Sequence, residues 1–312
     1  MRILVTGGAG FIGSNLVHAL VGAHEVGVID DLSCGSPENI HPASWFRTLD
    51  ILDPSLGAVV AEFGPDAVIH LAAQASVTES IKDPARDRAV NVEGTRAVAR
   101  AAAAAGARRL VSASSAAVYG EPAELPLAET SPKSPANPYG ASKLAAESAL
   151  ADELAGTGAD FASFRFSNVF GPRQDWRGEG GVVAIFTAAM SAGEPPTVFG
   201  DGKQTRDFIY VGDVVAACLE ALLAEGRLAD EGVDGPAYNV STGRETSVDQ
   251  LVAHLRAATG YGGPVDHAAA REGDVARSAL DPAKARTGFG WAARSPLDSA
   301  IGATARWFAG RT

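Results

Sequence analysis

Two cysteines in 312 residues, Cys34 and Cys218, are too few for a disulfide framework. Excess positive charge is missing as well: 26 lysines and arginines stand against 37 aspartates and glutamates, a net charge of −11. That balance argues against nucleic acid as a partner, because such binding rests on clustered cations that neutralise phosphates. No stretch reaches the roughly eighteen uninterrupted apolar residues a membrane span needs, so no membrane association is expected. The N-terminus enters a strand at once, with no charged leader followed by an apolar run, and a cytoplasmic protein is the expectation. No internal repeat is visible, and the alanine-rich stretch from Ala97 to Ala107 reads as a strong helix former. Lysine is scarce, five against twenty-one arginines, so each lysine carries weight.

What is present begins at residue 1. Met1 to Thr6 is apolar and strand-like, Gly7-Gly8-Ala9-Gly10 is a turn, and Phe11-Ile12-Gly13 opens a helix. Glycines at 7, 8, 10 and 13 let the backbone turn tightly and approach a pyrophosphate, whose charge meets free amides and the positive helix end. A second strand ends about twenty residues on at Asp30-Asp31, where a carboxylate accepts from the adenosine ribose hydroxyls and favours NAD over NADP. Gly7, Gly10, Phe11, Ile12, Gly13, Asp30 and Asp31 are therefore candidate cofactor residues.

Strands alternate with helical segments along the chain, which implies an α/β fold with a parallel sheet covered on both faces. Strands are expected at 2–6, 25–30, 45–49, 67–71, 108–113, 161–166 and 237–240, and helices near 11–21, 87–105, 139–156, 213–225, 247–258 and 298–308. The chain exceeds the size at which one hydrophobic core stops growing, so a main domain with a smaller companion is expected. Within the helix at 139–156, Tyr139 and Lys143 lie one turn apart on the same face. A cation held beside a phenol favours the phenolate, so Lys143 is expected to lower the Tyr139 pKa from its ordinary value of about 10. His70 ends an apolar strand with no histidine, cysteine or carboxylate at ligand spacing, so it reads as a core histidine, and no metal is expected.

These motifs belong to a longer ordered series. It continues through Asp50-Ile51, His70-Leu71-Ala72-Ala73, Asn91-Val92-Glu93-Gly94-Thr95, Ser114-Ser115-Ala116-Ala117-Val118-Tyr119-Gly120, Arg165 to Pro172, Arg206-Asp207-Phe208-Ile209 and Arg271-Glu272-Gly273-Asp274. The series resembles the extended short-chain dehydrogenase/reductase family, the NAD-dependent epimerases and dehydratases of nucleotide sugars. It covers about residues 1 to 290 and looks closest to the branch that interconverts UDP-glucose and UDP-galactose.

The resemblance implies a Rossmann-like, doubly wound NAD-binding domain over 1–165, to which 208–233 returns. A smaller α/β sugar-nucleotide domain would comprise 166–207 and 234–312. It implies a Ser115, Tyr139, Lys143 triad, with Tyr139 as base and Lys143 also bonding the nicotinamide ribose. Asp50, Ile51, Leu71, Ala72, Ala73 and Asn91 would join the NAD site. Ser115, Asn168, Val182, Val183, Phe199, Arg206, Arg271 and Asp274 would touch the UDP-sugar, the two arginines on its diphosphate. A homodimer would form through helices 87–105 and 139–156, with Ala97, Ala99, Ala101 and Ala145 allowing close approach.

Departures within the family narrow the reaction. Dehydratases carry an Asp-Glu pair, and decarboxylating members a glutamate, at positions held here by Ser115, Ala116 and Ala117. Epimerases of uronic acids tend to carry a basic residue near Asp175, where an aspartate would repel the substrate carboxylate. Asn168, where others have threonine, also resembles the hexose epimerases. The expectation is an isomerase, a 4-epimerase with tightly bound NAD. The alternatives are an epimerase of UDP-N-acetylhexosamines or a reductase of a 4-keto sugar, and from another class a non-enzymatic NAD(P)-binding regulator. Trp176 would shield the pocket or merely pack on the surface.

Overall fold

The computed structural model describes residues 1–177, 181–229, 234–270 and 275–310. Seven strands form one sheet: β1 (Arg2–Thr6), β2 (Glu25–Asp30), β3 (Trp45–Thr48), β4 (Ala67–His70), β5 (Arg109–Ser115), β6 (Asp160–Phe166) and β7 (Ala237–Val240). All pair in parallel, in the order 3-2-1-4-5-6-7. Parallel strands buried on both faces need continuous apolar runs, and Ile3-Leu4-Val5 and Ala67-Val68-Ile69 supply them. The chain winds outward from β1 to β3 and then crosses back to β4. The strand order therefore reverses between β1 and β4, and the crevice beyond their carboxyl ends is where such sheets bind ligands.

Helices Phe11–Leu20 and Val211–Leu223 cover one face, burying Leu16, Val17, Leu20, Val214 and Cys218. Helices Leu56–Phe63, Gly94–Ala104 and Pro138–Leu154 cover the other, with Val60, Phe63, Val98, Leu150 and Leu154 inside. A third apolar cluster lies off the sheet. Phe170, Phe186, Met190, Val198, Phe208, Leu251, Leu255 and Ile301 build it, carried largely by helices Val182–Ser191, Val248–Thr259 and Leu297–Ala309.

Several expectations change. Residues from 234 onward do not all go to the smaller unit, since β7 pairs with β6 and Ala285 and Trp291 pack into the first sheet-face core. The single helix expected at 87–105 is three pieces: Pro84–Arg88, a π-type turn Ala89–Glu93, and Gly94–Ala104. Ala99 and Ala101 face the chain's own core, at 0% and 6% exposure, so they cannot line a dimer interface. Helices 56–63, 77–82, 182–191 and 283–289 were not anticipated. Cys34 is exposed and Cys218 buried, and both are free thiols. Among the described residues no helix is long and apolar enough to cross a membrane.

Candidate active site

The glycine loop is pressed against the end of β4. Gly7 has φ +74°, and a Cβ there would lie 2.6 Å from the Ala72 nitrogen; one on Gly13 would lie 2.1 Å from the Gly7 carbonyl oxygen. Only hydrogen fits at either position. Gly10 caps helix 11–20 without a side-chain hydrogen bond, so no side chain caps the first-turn amides.

Asp30 is braced against this loop. Its Oδ2 accepts from Ala9 N at 2.9 Å and its Oδ1 from Leu32 N at 2.9 Å, while burial pushes its pKa up. Asp31 instead turns to solvent and accepts from the Ser33 amide and hydroxyl. Of the two expected carboxylates, Asp30 is the one at the loop. Asp50 is exposed and accepts from Leu52 N, whereas Ile51 is buried near Gly94. Leu71, Ala72 and Ala73 follow β4, and Asn91 bonds the backbone of Gln74 through both its side-chain groups. A crowded, uncapped glycine turn beside a braced carboxylate fits a dinucleotide such as NAD.

The catalytic candidates converge from two elements. Ser115 is the last residue of β5, and its Oγ accepts from Ala117 N at 3.2 Å. Tyr139 and Lys143 lie on helix 138–154, which Asn137 caps by accepting from Gly140 N at 2.9 Å, with Pro138 preset at the first helical position. The Ser115 hydroxyl lies near enough to the Tyr139 phenol to act on its ionisation, and Lys143 donates to Ala113 O at 3.1 Å. Burial drives Lys143 down to about 8, opposed by Asp87 and Glu147.

The Tyr139 pKa is raised rather than lowered. Burial dominates, the Ser115 hydroxyl acts against it, and Asp87 adds to the rise. Lys143 Nζ stands 6.0 Å from the ring centroid and is tied to a strand carbonyl. Sequence spacing gave the shared helix face but not the desolvation that outweighs the cation.

Other expected residues lie on other elements. Asn168 is exposed at the start of a short strand that pairs with Phe208–Tyr210. Val182 is half-buried, but Val183 is 1% exposed within the third core, so its side chain does not face a ligand. Phe199 ends a strand paired with 266–268, and Arg206 is half-buried and donates to Thr205 O. Arg271 and Asp274 lie outside the described residues. Asp175 and Trp176 are exposed, with the Arg177 guanidinium 4.8 Å over the indole.

Sequence reasoning missed a buried ionic network behind the triad. Arg165, 1% exposed, forks onto Glu147 at 2.9 and 2.6 Å and also reaches Tyr119, the Glu129 carbonyl and Asp234. Ser114 donates to Glu147 at 2.5 Å. The signal was there: Glu147 is four residues past Lys143 and eight past Tyr139, on one helix face, and a charge between Phe164 and Phe166 in a buried strand needs a partner.

His70 is a core histidine, as expected. Its ring nitrogens meet Thr6 at 2.7 Å and Thr95 at 3.0 Å, and no metal-holding group of side chains exists among the described residues. Burial and Lys143 push its pKa from 6.5 to about 3. Below pH 6.5 the unfolded chain takes up a proton that the folded chain refuses, so stability falls on acidification by about 1.4 kcal/mol per unit. Denaturant titrations at pH 7 and pH 5 should show this loss, and His70→Gln should flatten it. Equal slopes in both proteins would assign the acid sensitivity to other groups.

Comparison with known proteins agrees with this geometry. A family model described as NAD dependent epimerase/dehydratase family matches residues 3–241. The UDP-glucose 4-epimerase of Mycolicibacterium smegmatis is 43% identical, covering 99% of this chain and 98% of its own. The crystal structure of Thermotoga maritima UDP-glucose 4-epimerase with UDP-glucose superposes with a TM-score of 0.94 at 38% identity, covering 100% of this chain and 99% of that one. The Thermus thermophilus UDP-glucose 4-epimerase complex with NAD gives 0.91 at 39% identity, with both chains fully covered. With the glycine cradle, the reversed strand order and these full-length matches together, the chain belongs to the NAD-dependent epimerase/dehydratase family.

Proposed function

We propose that the protein is an NAD-dependent 4-epimerase that interconverts UDP-glucose and UDP-galactose through a transient 4-keto sugar. The observation that carries this reading is the convergence of Ser115, Tyr139 and Lys143 at the carboxyl end of β5, with only methyl side chains following at Ala116 and Ala117. Nothing at those two positions supplies the extra acid and base of an elimination. The full-length likeness to proteins named UDP-glucose 4-epimerase supports the same reading.

The amides of Phe11, Ile12 and Gly13 would hold the pyrophosphate of NAD, Asp30 the adenosine ribose and Lys143 the nicotinamide ribose. When bound, NAD supplies a hydride acceptor at C4 of the sugar and gives the hydride back to the same carbon. Tyr139 takes the proton of the 4-hydroxyl, and Ser115 holds that oxygen by a hydrogen bond. Because burial raises the phenol's pKa, the charge of Lys143 and the charge of the oxidised cofactor must act together to favour the phenolate. After the keto sugar turns over, Tyr139 returns its proton to the oxygen. Arg206 would fork across the diphosphate, holding the nucleotide while the sugar rotates. Helices 94–104 and 138–154 would also form a homodimer, with Ala97 and Ala145 as the remaining small residues.

Incubation with UDP-galactose should give UDP-glucose without lasting build-up of reduced cofactor and without stoichiometric NAD. Steady NADH accumulation would mean a net dehydrogenase. UDP-N-acetylhexosamines are a second candidate substrate class because of Ser278. Its amide donates to Thr205 O at 3.2 Å, beside Arg206, and its side chain is small. Related epimerases restricted to glucose and galactose often carry a tyrosine at the corresponding place. Ser278→Tyr should suppress turnover of UDP-N-acetylglucosamine while sparing UDP-galactose. No N-acetylhexosamine turnover by the wild type, while UDP-galactose is consumed, would end the broad-specificity reading.

A further inference from the structure

Asp87 sits on the short helix Pro84–Arg88, 1% exposed, while its neighbours Arg86 and Arg88 both point to solvent. One carboxylate oxygen is satisfied, since Oδ1 accepts from Gln74 Nε2 at 2.8 Å and Asn91 Nδ2 at 3.2 Å. The other, Oδ2, is buried with no hydrogen-bond partner. A buried carboxylate oxygen left unpaired is costly and calls for an explanation.

Its surroundings supply one. Asn91 also donates to Ser142 Oγ at 2.9 Å, and Ser142 donates to the Tyr139 carbonyl at 3.0 Å, so Asp87 is joined through two side chains to the helix turn bearing the triad. Asn91 lies in the π-type turn, where the extra residue re-aims a side chain. The charged and titratable groups around Tyr139 and Lys143 are few. His70, from β4, is neutral at working pH. Glu147, on their own helix, has Oε1 held by Ser114 and Arg165 and Oε2 by Arg165. Asp87 alone among them offers an uncommitted carboxylate oxygen.

The geometry points to Asp87 as a positioning residue: a buried carboxylate with one oxygen unpaired that, through Asn91 and Ser142, fixes the helix turn carrying Tyr139 and Lys143. This rests on the assignment of Tyr139 as base. Electrostatics agree in sign, because Asp87 raises both Lys143 and Tyr139. Removing its charge should therefore make both groups lose their protons at lower pH.

The test uses the purified full-length protein with Asp87→Asn, Asp87→Ser and Asp87→Glu. Tyrosinate formation is followed by ultraviolet difference titration, with Tyr139→Phe as the reference that isolates the Tyr139 step. In the two uncharged variants that step should move down by about one pH unit, and in Asp87→Glu it should stay near the wild-type position. The acid limb of the UDP-galactose rate profile should follow the same shift. An unmoved Tyr139 step with reduced activity would overturn the proposal, as would loss of folding in both uncharged variants. Asp87 would then be only a structural acceptor for Gln74 and Asn91. The titration needs no substrate, so a wild-type protein inert toward UDP-galactose would defeat the 4-epimerase reading without touching this result.

Discussion

Tyr139→Phe is expected to turn over UDP-galactose about 10²–10⁴ times more slowly than the wild type, the range for lost general acid–base catalysis. The ring stays and only the hydroxyl goes, so packing at the helix start should be unchanged. Neither neighbour can take over. Lys143 is committed to the Ala113 carbonyl, and Ser115 carries a hydroxyl with no general base beside it other than the phenol itself. UDP-sugar affinity should survive, because no nucleotide-binding candidate is altered. Single-turnover rates and equilibrium binding, measured side by side, separate the two. A variant with near-full rate would move the role of base to another group.

Glu147→Gln should cost about 3–5 kcal/mol of folding stability, the usual penalty for breaking one partner of a buried ion pair. Arg165 would keep its charge, because a guanidinium does not give up its proton, yet it would lose its forked carboxylate. Asp234 remains as its second partner at 3.0 Å but is also engaged by Lys133. Ser114 would lose its charged acceptor at the same time, next to Ser115. Denaturant midpoints with unchanged slopes would measure the effect. A loss below about 1 kcal/mol would show that Asp234 alone satisfies the guanidinium.

Much of this architecture can be read from residues. Each of the seven strands of the main sheet begins or ends within two residues of its expected position, because buried parallel strands must be short apolar runs bounded by turns. The glycine loop is equally legible, since only glycine satisfies its crowding. The missed helices have physical causes. Leu56-Gly57-Ala58-Val59-Val60 carries a glycine and two β-branched residues, and 182–191 is apolar nearly all round, so neither shows a clean helical period. The π-type turn left no trace in the sequence, because one extra residue within Ala89–Glu93 does not alter the helical signal of the segments that flank it. Within the site, spacing reported which side chains share a helix face. It could not report how deeply they are buried, and burial decides the ionisation of both Tyr139 and Lys143.

The last strand of the sheet has a consequence for synthesis. β7 pairs residue for residue with β6, from Ala237 opposite Ser163 to Val240 opposite Phe166, yet the chain between them is longer than many small domains. On the ribosome, β6 emerges long before its outer neighbour, leaving a hydrophobic edge rich in phenylalanine open to pairing with any extended segment. Arg165 lies within that edge, and until residue 234 appears one of its carboxylate partners does not exist. Chaperone dependence should therefore be concentrated in the interval of translation between these two strands, and truncation just before residue 237 should yield aggregates rather than a soluble, partly folded chain.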